Sequence, residues 1–122
     1  MDAQALDAQR AELLETMRRA FLQGGHDEVM GAFEALGETK AIRSGIRVEA
    51  IALAARVKMA QGDKQAARQL LKQVWNAPLK HHRLCRQVAI TCLEMGEYRH
   101  AAALAERAAA LAEQAKEVAT EQ

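Results

Sequence analysis

The sequence contains few of the residues from which β-sheets are built, and it lacks the long apolar runs of membrane spans. Of its 122 residues, only four are phenylalanine, tyrosine or tryptophan, and one is proline. Because runs of β-branched residues are also scarce, little is left from which to form a sheet. No apolar run approaches the roughly 20 residues that a transmembrane helix requires. We therefore expect neither a β-sheet nor a membrane-spanning segment.

Cysteine is also scarce. Cys85 and Cys92 are the two cysteines, seven positions apart. On a helix this spacing separates them by about 10 Å along the axis, which is too far for a disulfide between them. Two unpaired thiols suit a reducing compartment. The N-terminal residues 1–4 lack the basic region and apolar core of a signal peptide, so we expect a cytoplasmic protein.

Alanine and other helix-forming residues are abundant. Half of all residues are hydrophobic, and alanine combines the highest helix propensity with a side chain small enough for helices to approach closely. The length fits one domain with a core of its own. The composition therefore predicts an all-α fold in which residues 1–122 form a single domain.

Similar turns recur along the chain. Gly62-Asp63 and Gly96-Glu97 are 34 positions apart, and each follows an apolar helical pattern. A related segment, Gly24-Gly25, lies 38 positions before Gly62. A spacing of this size is typical of helical repeats. We predict three helix-turn-helix repeats, at about 6–37, 46–78 and 79–119.

Apolar residues recur at helical spacing on both sides of each turn, and glycine commonly follows the end of a helix. Each repeat therefore has an A helix before its turn and a B helix after it, with Leu22 and Leu93 among the apolar A-helix residues. A four-residue insertion lies between Glu38 and Gly45, and Pro78 suits the first turn of the fifth helix. The predicted helices are Leu6–Gln23, Asp27–Gly37, Ile46–Gln61, Lys64–Asn76, Leu79–Met95 and Tyr98 to at least Val118.

The third repeat carries small and aromatic residues at the positions of a known motif, with Ala89 seven before Gly96, Tyr98 two after it, and then Ala101 and Ala108. The second repeat matches less fully, since a lysine stands where an aromatic residue is usual. In this pattern the chain resembles the tetratricopeptide repeat (TPR) proteins. The resemblance implies an α-α superhelix of three antiparallel helix pairs, here with an extended C-terminal helix. No A helix has the family's tryptophan, which leaves related helical repeats open.

The resemblance also implies a concave groove lined by the A helices, in the part of the chain where basic residues concentrate. Residues 41–100 hold eleven lysines and arginines against four acids, whereas both flanking segments are acidic. Guanidinium groups that converge on a groove suit carboxylate or phosphate recognition, the alternative being a merely solvated basic face. The predicted groove residues are Arg18, Glu49, Arg56, Arg83, Arg86 and Ile90.

We therefore expect a non-enzymatic protein–protein interaction module that binds an acidic or amphipathic partner segment. It could serve as an adaptor, a chaperone or the repeat domain of a larger regulator. The dicarboxylate clamp of some TPR proteins is not reproduced, because Leu14 and Leu53 stand where that clamp needs lysine and asparagine. Tyr98 is expected to pack against its turn, and Trp75 to close the end of the fourth helix.

Other kinds of function have weaker support. The sequence contains no phosphate-binding loop, nucleophile elbow or HExxH motif, so we expect no catalytic residues and no cofactor. His81, His82 and Cys85 have a spacing that could place His82 and Cys85 on one helical face as metal ligands. A convincing fourth ligand is missing from this set, so we expect no metal. The sequence argues against a nucleic-acid partner, because the net charge is only +1 and the basic region lacks interleaved aromatic residues.

The alternative function is structural self-association. A stack of repeats ends in a helix whose outer face ordinarily packs on another repeat or on a polar capping helix. In the last helix an apolar stripe continues past the part that packs within its own repeat. We predict that this edge pairs with a second copy or with a neighbouring domain, and the edge residues are Leu104, Leu111 and Val118.

Overall fold

The computed structural model describes residues 3–38, 44–76 and 79–121, and within these ranges every regular element is an α-helix. The predicted all-α fold class is therefore confirmed. Along the described chain, no helix has the length and apolar character needed to cross a membrane. Pro78 and residues 39–43 of the predicted insertion lie outside the described residues. The helices are α1 (Ala3–Leu22), α2 (His26–Glu38), α3 (Ser44–Ala60), α4 (Lys64–Lys72), α5 (His82–Glu94) and α6 (Tyr98–Glu121).

Most predicted helix ends agree with the structure within three residues, but α4 is an exception. It ends at Lys72 and not at Asn76. The amide groups of Gln73 and Val74 donate to carbonyl groups three residues before them, at 3.1 and 3.0 Å. Bonds with this spacing form 3₁₀ turns, which are tighter than a turn of α-helix. The tightened segment carries Val74 and Trp75 into the core, where both are buried.

The same turn closes α1, α3 and α5. Each turn contains a glycine with positive φ, 75° at Gly24, 81° at Gly62 and 79° at Gly96. The glycine donates its amide to the carbonyl three residues back at 3.0–3.2 Å, and the next residue donates to the carbonyl five residues back at 2.8–2.9 Å. This pair of bonds is the Schellman motif. The predicted turns are confirmed, and the spacing in the sequence corresponds to a repeated structural unit.

Because Gly62 has positive φ, its replacement should destabilise the protein. We expect Gly62→Ala to lower the free energy of unfolding by about 1–2 kcal/mol, the cost of a left-handed conformation for a residue with a Cβ. Gly31 is the matched control, since it is exposed within α2 and an added Cβ would meet no atom within 4 Å at either glycine. Gly31→Ala should raise the free energy of unfolding by about 0.5–1 kcal/mol. Urea denaturation followed by circular dichroism measures both, and effects of the same sign would contradict the turn assignment.

The helices pack as three consecutive hairpins, α1 with α2, α3 with α4 and α5 with α6. The first helices of the hairpins also contact each other, α1 against α3 and α3 against α5, and α2 contacts α3 as well. Helices α1, α3 and α5 therefore lie side by side in a row.

Helix α3 lies at the centre of this arrangement and separates two clusters of buried side chains. Ala50, Leu53 and Val57 of α3 pack with α1 and α2 in one cluster. Val48 and Ile51 pack with α4, α5 and α6 in the other. A helix that is buried on two sides has to be apolar on both, which explains the uninterrupted run of buried residues from Ala50 to Ala55.

Three apolar residues are more exposed than the sequence pattern suggests. Leu22 ends α1 with 84% of its surface exposed, and Leu93 of α5 is 56% exposed. Tyr98 is 69% exposed, so the prediction that it packs against its turn is wrong. Leu93 and Tyr98 lie where α5 meets α6, on a side that no described helix covers. Trp75 was expected to close the end of α4, but it lies three residues beyond the observed end of that helix. It is buried, and its ring stacks on the imidazole of His100 with 4.0 Å between the ring centres.

Both cysteines are buried in the cluster formed by α3 to α6. Burial raises the pKa of the Cys85 thiol, and it raises the pKa of Cys92 to about 11, with the nearby Glu97 carboxylate adding to the shift. The reactive form of cysteine is the thiolate, and a raised pKa together with burial suppresses it in the folded protein.

At pH 8 we therefore expect both thiols of the folded protein to react slowly with a disulfide reagent, and both to react rapidly once the protein is unfolded. Because the thiol pKa is raised in the folded protein, the protonated thiol contributes to the free energy of unfolding. This contribution is fully present below about pH 9, the ordinary thiol pKa, and is lost as the pH rises towards about 11. Cys92→Ala should show a smaller loss of stability over this interval. Rapid labelling of both thiols in the folded protein would contradict their burial.

Candidate functional site

A cavity of about 760 Å³ lies between the first helices of the three hairpins. We call it the basic cleft. Five of the six predicted groove residues line it, namely Arg18, Glu49, Arg83, Arg86 and Ile90. They come together because α1, α3 and α5 lie side by side. The remaining lining residues are Leu14, Gly45, Ile46, His81, His82, Leu84 and Gln87.

A buried carboxylate connects the three helices on one side of the basic cleft. Glu49 of α3 is only 7% exposed. It accepts a hydrogen bond from the Arg18 guanidinium of α1 and another from Gln87 Nε2 of α5, the latter at 3.0 Å. The bond to Glu49 raises the pKa of Arg18 against the opposing effect of burial. Arg18 also pairs with Glu15 at 3.1 Å, so two carboxylates already neutralise it.

Arg56 has a structural environment of its own. It lines a smaller neighbouring cavity of about 60 Å³, which shares Glu49, Gln87 and Ile90 with the basic cleft. Its guanidinium pairs with Glu94 of α5 at 3.1 Å and lies over the ring of Phe21, 4.8 Å from the ring centre. Arg56 therefore joins α3 to α1 and α5, and it lies beside the basic cleft and not within it.

Arg83 and Arg86 are the cations of the basic cleft that remain available. Both are exposed on α5, and neither forms an ion pair or hydrogen bond with another residue of the described ranges. A guanidinium offers two parallel N–H groups that match a carboxylate or a phosphate. His81 and His82 extend the lining at the start of α5. This end of the cleft can bind an anionic group.

The basic cleft is not uniformly polar. Leu14, Ile46, Leu84 and Ile90 contribute apolar side chains to its lining. Sequence inspection identified the charged residues but missed Ile46 and Leu84 as cleft residues, because both also fit the apolar pattern of a helix interior. The combination of two free guanidinium groups with apolar side chains suits a ligand that is both anionic and apolar.

The predicted self-association edge is only partly available. Leu104 is buried in the core formed by α3 to α6, and Leu111 is half-buried against the same core. Leu104 is therefore wrong as an interface residue, because its own chain already covers it. Val118, by contrast, is 56% exposed on the last turns of α6.

The described residues contain no group of three or more histidine, cysteine, aspartate or glutamate side chains that could hold a metal ion. Comparison of the chain with protein-family models, with curated proteins and with solved structures gives no match. We therefore base the functional proposal on the residues of the basic cleft.

Proposed function

We propose that the chain is a TPR-like repeat domain that binds an acidic, amphipathic segment of a partner protein in the basic cleft. The observation that carries this proposal is the pair Arg83 and Arg86, two exposed guanidinium groups that have no partner among the described residues and lie beside apolar side chains. The TPR-like part of the proposal is supported by the three identical turns and by the row formed by α1, α3 and α5.

The ion-paired and hydrogen-bonded residues of the basic cleft fix the relative positions of its walls. Since Glu49 is bonded to α1 and α5 simultaneously, it fixes the spacing of the three helices that form the walls. Fixed walls lower the entropic cost of binding, because less of the protein has to be ordered when the partner arrives. Arg83 and Arg86 then contribute charge at a defined position relative to the apolar lining.

A protein partner fits the basic cleft better than a nucleic acid does. Proteins that bind single strands stack bases on aromatic side chains, and no phenylalanine, tyrosine or tryptophan lines the cleft. A sugar–phosphate backbone would also leave the apolar side chains of the lining, such as Ile46 and Leu84, without an apolar partner. A segment with glutamate or aspartate beside leucine-like residues satisfies both parts of the surface.

We propose a binding function and not a catalytic one, because the Glu49 carboxylate and the Cys85 thiol near the basic cleft are already engaged or buried. The Glu49 carboxylate is held by Arg18 and Gln87. The Cys85 thiol is buried in the core, and its pKa is raised by that burial. Neither group is available to attack a substrate or to transfer a proton to it.

Affinity capture from cells that express the protein tests this function. The tagged protein and the variant Arg83→Glu/Arg86→Glu are compared, and retained proteins are identified by mass spectrometry. We expect the unmodified protein to retain a partner with an acidic, apolar segment and the variant to lose it. Lys64→Glu/Arg99→Glu is the matched control, since it makes the same charge change at exposed positions that do not line the basic cleft. Equal retention by all three proteins would contradict the proposed site.

A further inference from the structure

A second cavity lies on the other side of α5. It is a groove of about 490 Å³ between α5 and α6, which we call the edge groove. Ile90, Leu93 and Tyr98 line it with 42%, 56% and 69% of their surfaces exposed. Ala102 and Ala105 contribute to the lining from α6, and the single charged residue in the lining is Arg86. Exposed apolar surface of this kind commonly marks an interaction site.

The repeat shows what covers the same surface elsewhere in the chain. Counted from the turn glycines Gly24, Gly62 and Gly96, Leu93 corresponds to Phe21 in the first hairpin and to Met59 in the second. Phe21 packs in the cluster that contains α3, and Met59 packs in the cluster that contains α5. In both earlier hairpins the equivalent position therefore packs in a cluster to which the next helix of the row contributes, and Arg56 of α3 lies over the Phe21 ring.

A second position gives the same result and adds information on size. Ala105 corresponds by the same count to Phe33 in the first hairpin and to Leu71 in the second. Phe33 and Leu71 pack in clusters that contain residues of the helices that follow them, α3 and α5. With alanine at this position, the edge groove has room for larger side chains from whatever covers it.

The ion pairs between neighbouring helices indicate the charges that a helix covering the edge groove would carry. Arg18 and Arg56 occupy the same position in their hairpins, six residues before the turn glycine. Each pairs with a glutamate of the next helix of the row, Arg18 with Glu49 of α3 and Arg56 with Glu94 of α5. In the third hairpin Ile90 stands at this position. The arginine there is Arg86, one helical turn earlier. A covering helix would therefore need a carboxylate opposite Arg86 and an apolar residue opposite Ile90.

A second copy of the chain is a poor candidate for continuing the row with its α1. Helix α3 covers the first hairpin with Ile46, Ala50, Leu53 and Val57. The equivalent residues of α1, 38 positions earlier, are Ala8, Glu12, Glu15 and Arg19, all of them exposed. Three of these four side chains are charged, so α1 would bury unpaired charges in an apolar groove at high cost.

We propose that the edge groove binds an amphipathic α-helix of another protein, which extends the row after α5. That helix presents bulky aliphatic side chains to Leu93 and Ala105, an apolar residue to Ile90 and a carboxylate to Arg86. The edge groove is a second binding surface and does not depend on the proposed function of the basic cleft, although Arg86 and Ile90 line both cavities.

A labelled peptide designed from α3 serves as the probe, because α3 covers the equivalent surface of the first hairpin. A side-chain lactam on its solvent face keeps it helical, which removes the cost of folding on binding. Glutamine replaces the residues that face the other core, and the apolar and acidic positions are exchanged to match Ile90 and Arg86. The peptide thus comprises residues 44–60 with Ile46→Glu, Glu49→Ile, Val48→Gln, Ile51→Gln and Ala55→Gln.

We expect fluorescence anisotropy to show binding of this peptide to the unmodified protein. Ala105→Glu places a carboxylate in the apolar groove and should weaken binding by about tenfold or more. Ala103→Glu, an exposed control on α6 that does not line the groove, should leave binding unchanged. Arg83→Glu alters the basic cleft alone and should also leave it unchanged, which separates the two surfaces.

Several outcomes would overturn the proposal. The first is that the peptide does not bind, and the second is that it binds Ala105→Glu as tightly as the unmodified protein. The third is that a peptide retaining Ile46 and Glu49 binds the unmodified protein as tightly as the designed one, because this result contradicts the charges assigned to the covering helix. Sedimentation of the protein without peptide identifies the remaining alternative. A dimer that Ala105→Glu converts to monomer would show that the edge groove belongs to a second copy, whereas a monomer in both cases supports a heterologous helix.

Discussion

Leu71→Ala should lower the free energy of unfolding by about 2–5 kcal/mol, as replacement of a buried leucine commonly does. Leu71 has no exposed surface and lies in the cluster that α3, α4, α5 and α6 share. Helix α4 has only nine residues, so few other side chains hold it in place. The substitution removes apolar contacts and leaves a cavity that surrounding helices fill only partly.

Leu22→Ala is the matched control, because it removes the same atoms from a leucine that is 84% exposed. We expect its effect to stay within about 0.5 kcal/mol, as for most surface substitutions. Urea denaturation followed by circular dichroism gives both values under identical conditions. A cost for Leu71→Ala no larger than that for Leu22→Ala would contradict the packing of α4 onto the core.

The turns and most helix boundaries could be predicted because their causes are local. A Schellman turn needs a residue that tolerates positive φ, and glycine, here Gly24, Gly62 and Gly96, indicates such a turn in the sequence. The end of α4 could not be predicted in this way. No glycine or proline marks Lys72, and the chain leaves the helix there as Val74 and Trp75 enter a core formed by other helices.

Exposure at the end of the row was equally hard to predict. Leu93 fits the apolar pattern of an A helix, and in the two earlier hairpins the equivalent residues are packed. Whether such a residue is covered depends on a helix that follows, and the pattern within α5 contains no information about that helix.

The basic cleft was predictable in composition but not in its internal pairing. Helical register places Arg18, Glu49 and Arg86 on the sides of α1, α3 and α5 that face a common cavity. Whether an arginine reaches a carboxylate on a neighbouring helix depends on how far the helices are shifted along each other. That shift results from packing, so the pairs Arg18–Glu49 and Arg56–Glu94 became known only from the structure.

This pairing determines which arginines a binding experiment should change. A glutamate at position 56 would face Glu94 and would lose the contact with Phe21, so binding and folding would be disturbed together. Arg83 and Arg86 have no such contacts among the described residues. Changing these two should affect recognition while leaving the thermal unfolding midpoint nearly unchanged.

The expected effect on binding is large because the substitution reverses two charges. Hydrogen bonds to charged groups contribute about 1.5–3 kcal/mol when they are well formed, and solvent exposure reduces that value. Glutamate at both positions also repels an acidic ligand. We therefore expect Arg83→Glu/Arg86→Glu to weaken binding of an acidic segment by at least about tenfold, more at low salt than at high salt.

The most direct test is an anisotropy titration with a labelled peptide that has glutamate and leucine at helical spacing. It compares three proteins, namely the unmodified one, Arg83→Glu/Arg86→Glu and the control Lys64→Glu/Arg99→Glu. Ala105→Glu is titrated beside them and should bind like the unmodified protein, because Arg86 also lines the edge groove and only Ala105→Glu changes that groove without changing the basic cleft. A second peptide carries glutamine in place of every glutamate. We predict binding of the acidic peptide to the unmodified and control proteins, its loss in the Arg83/Arg86 variant, and weak binding of the glutamine peptide throughout. Equal affinity of all three proteins for the acidic peptide would contradict the assignment of the basic cleft as the site that binds acidic segments.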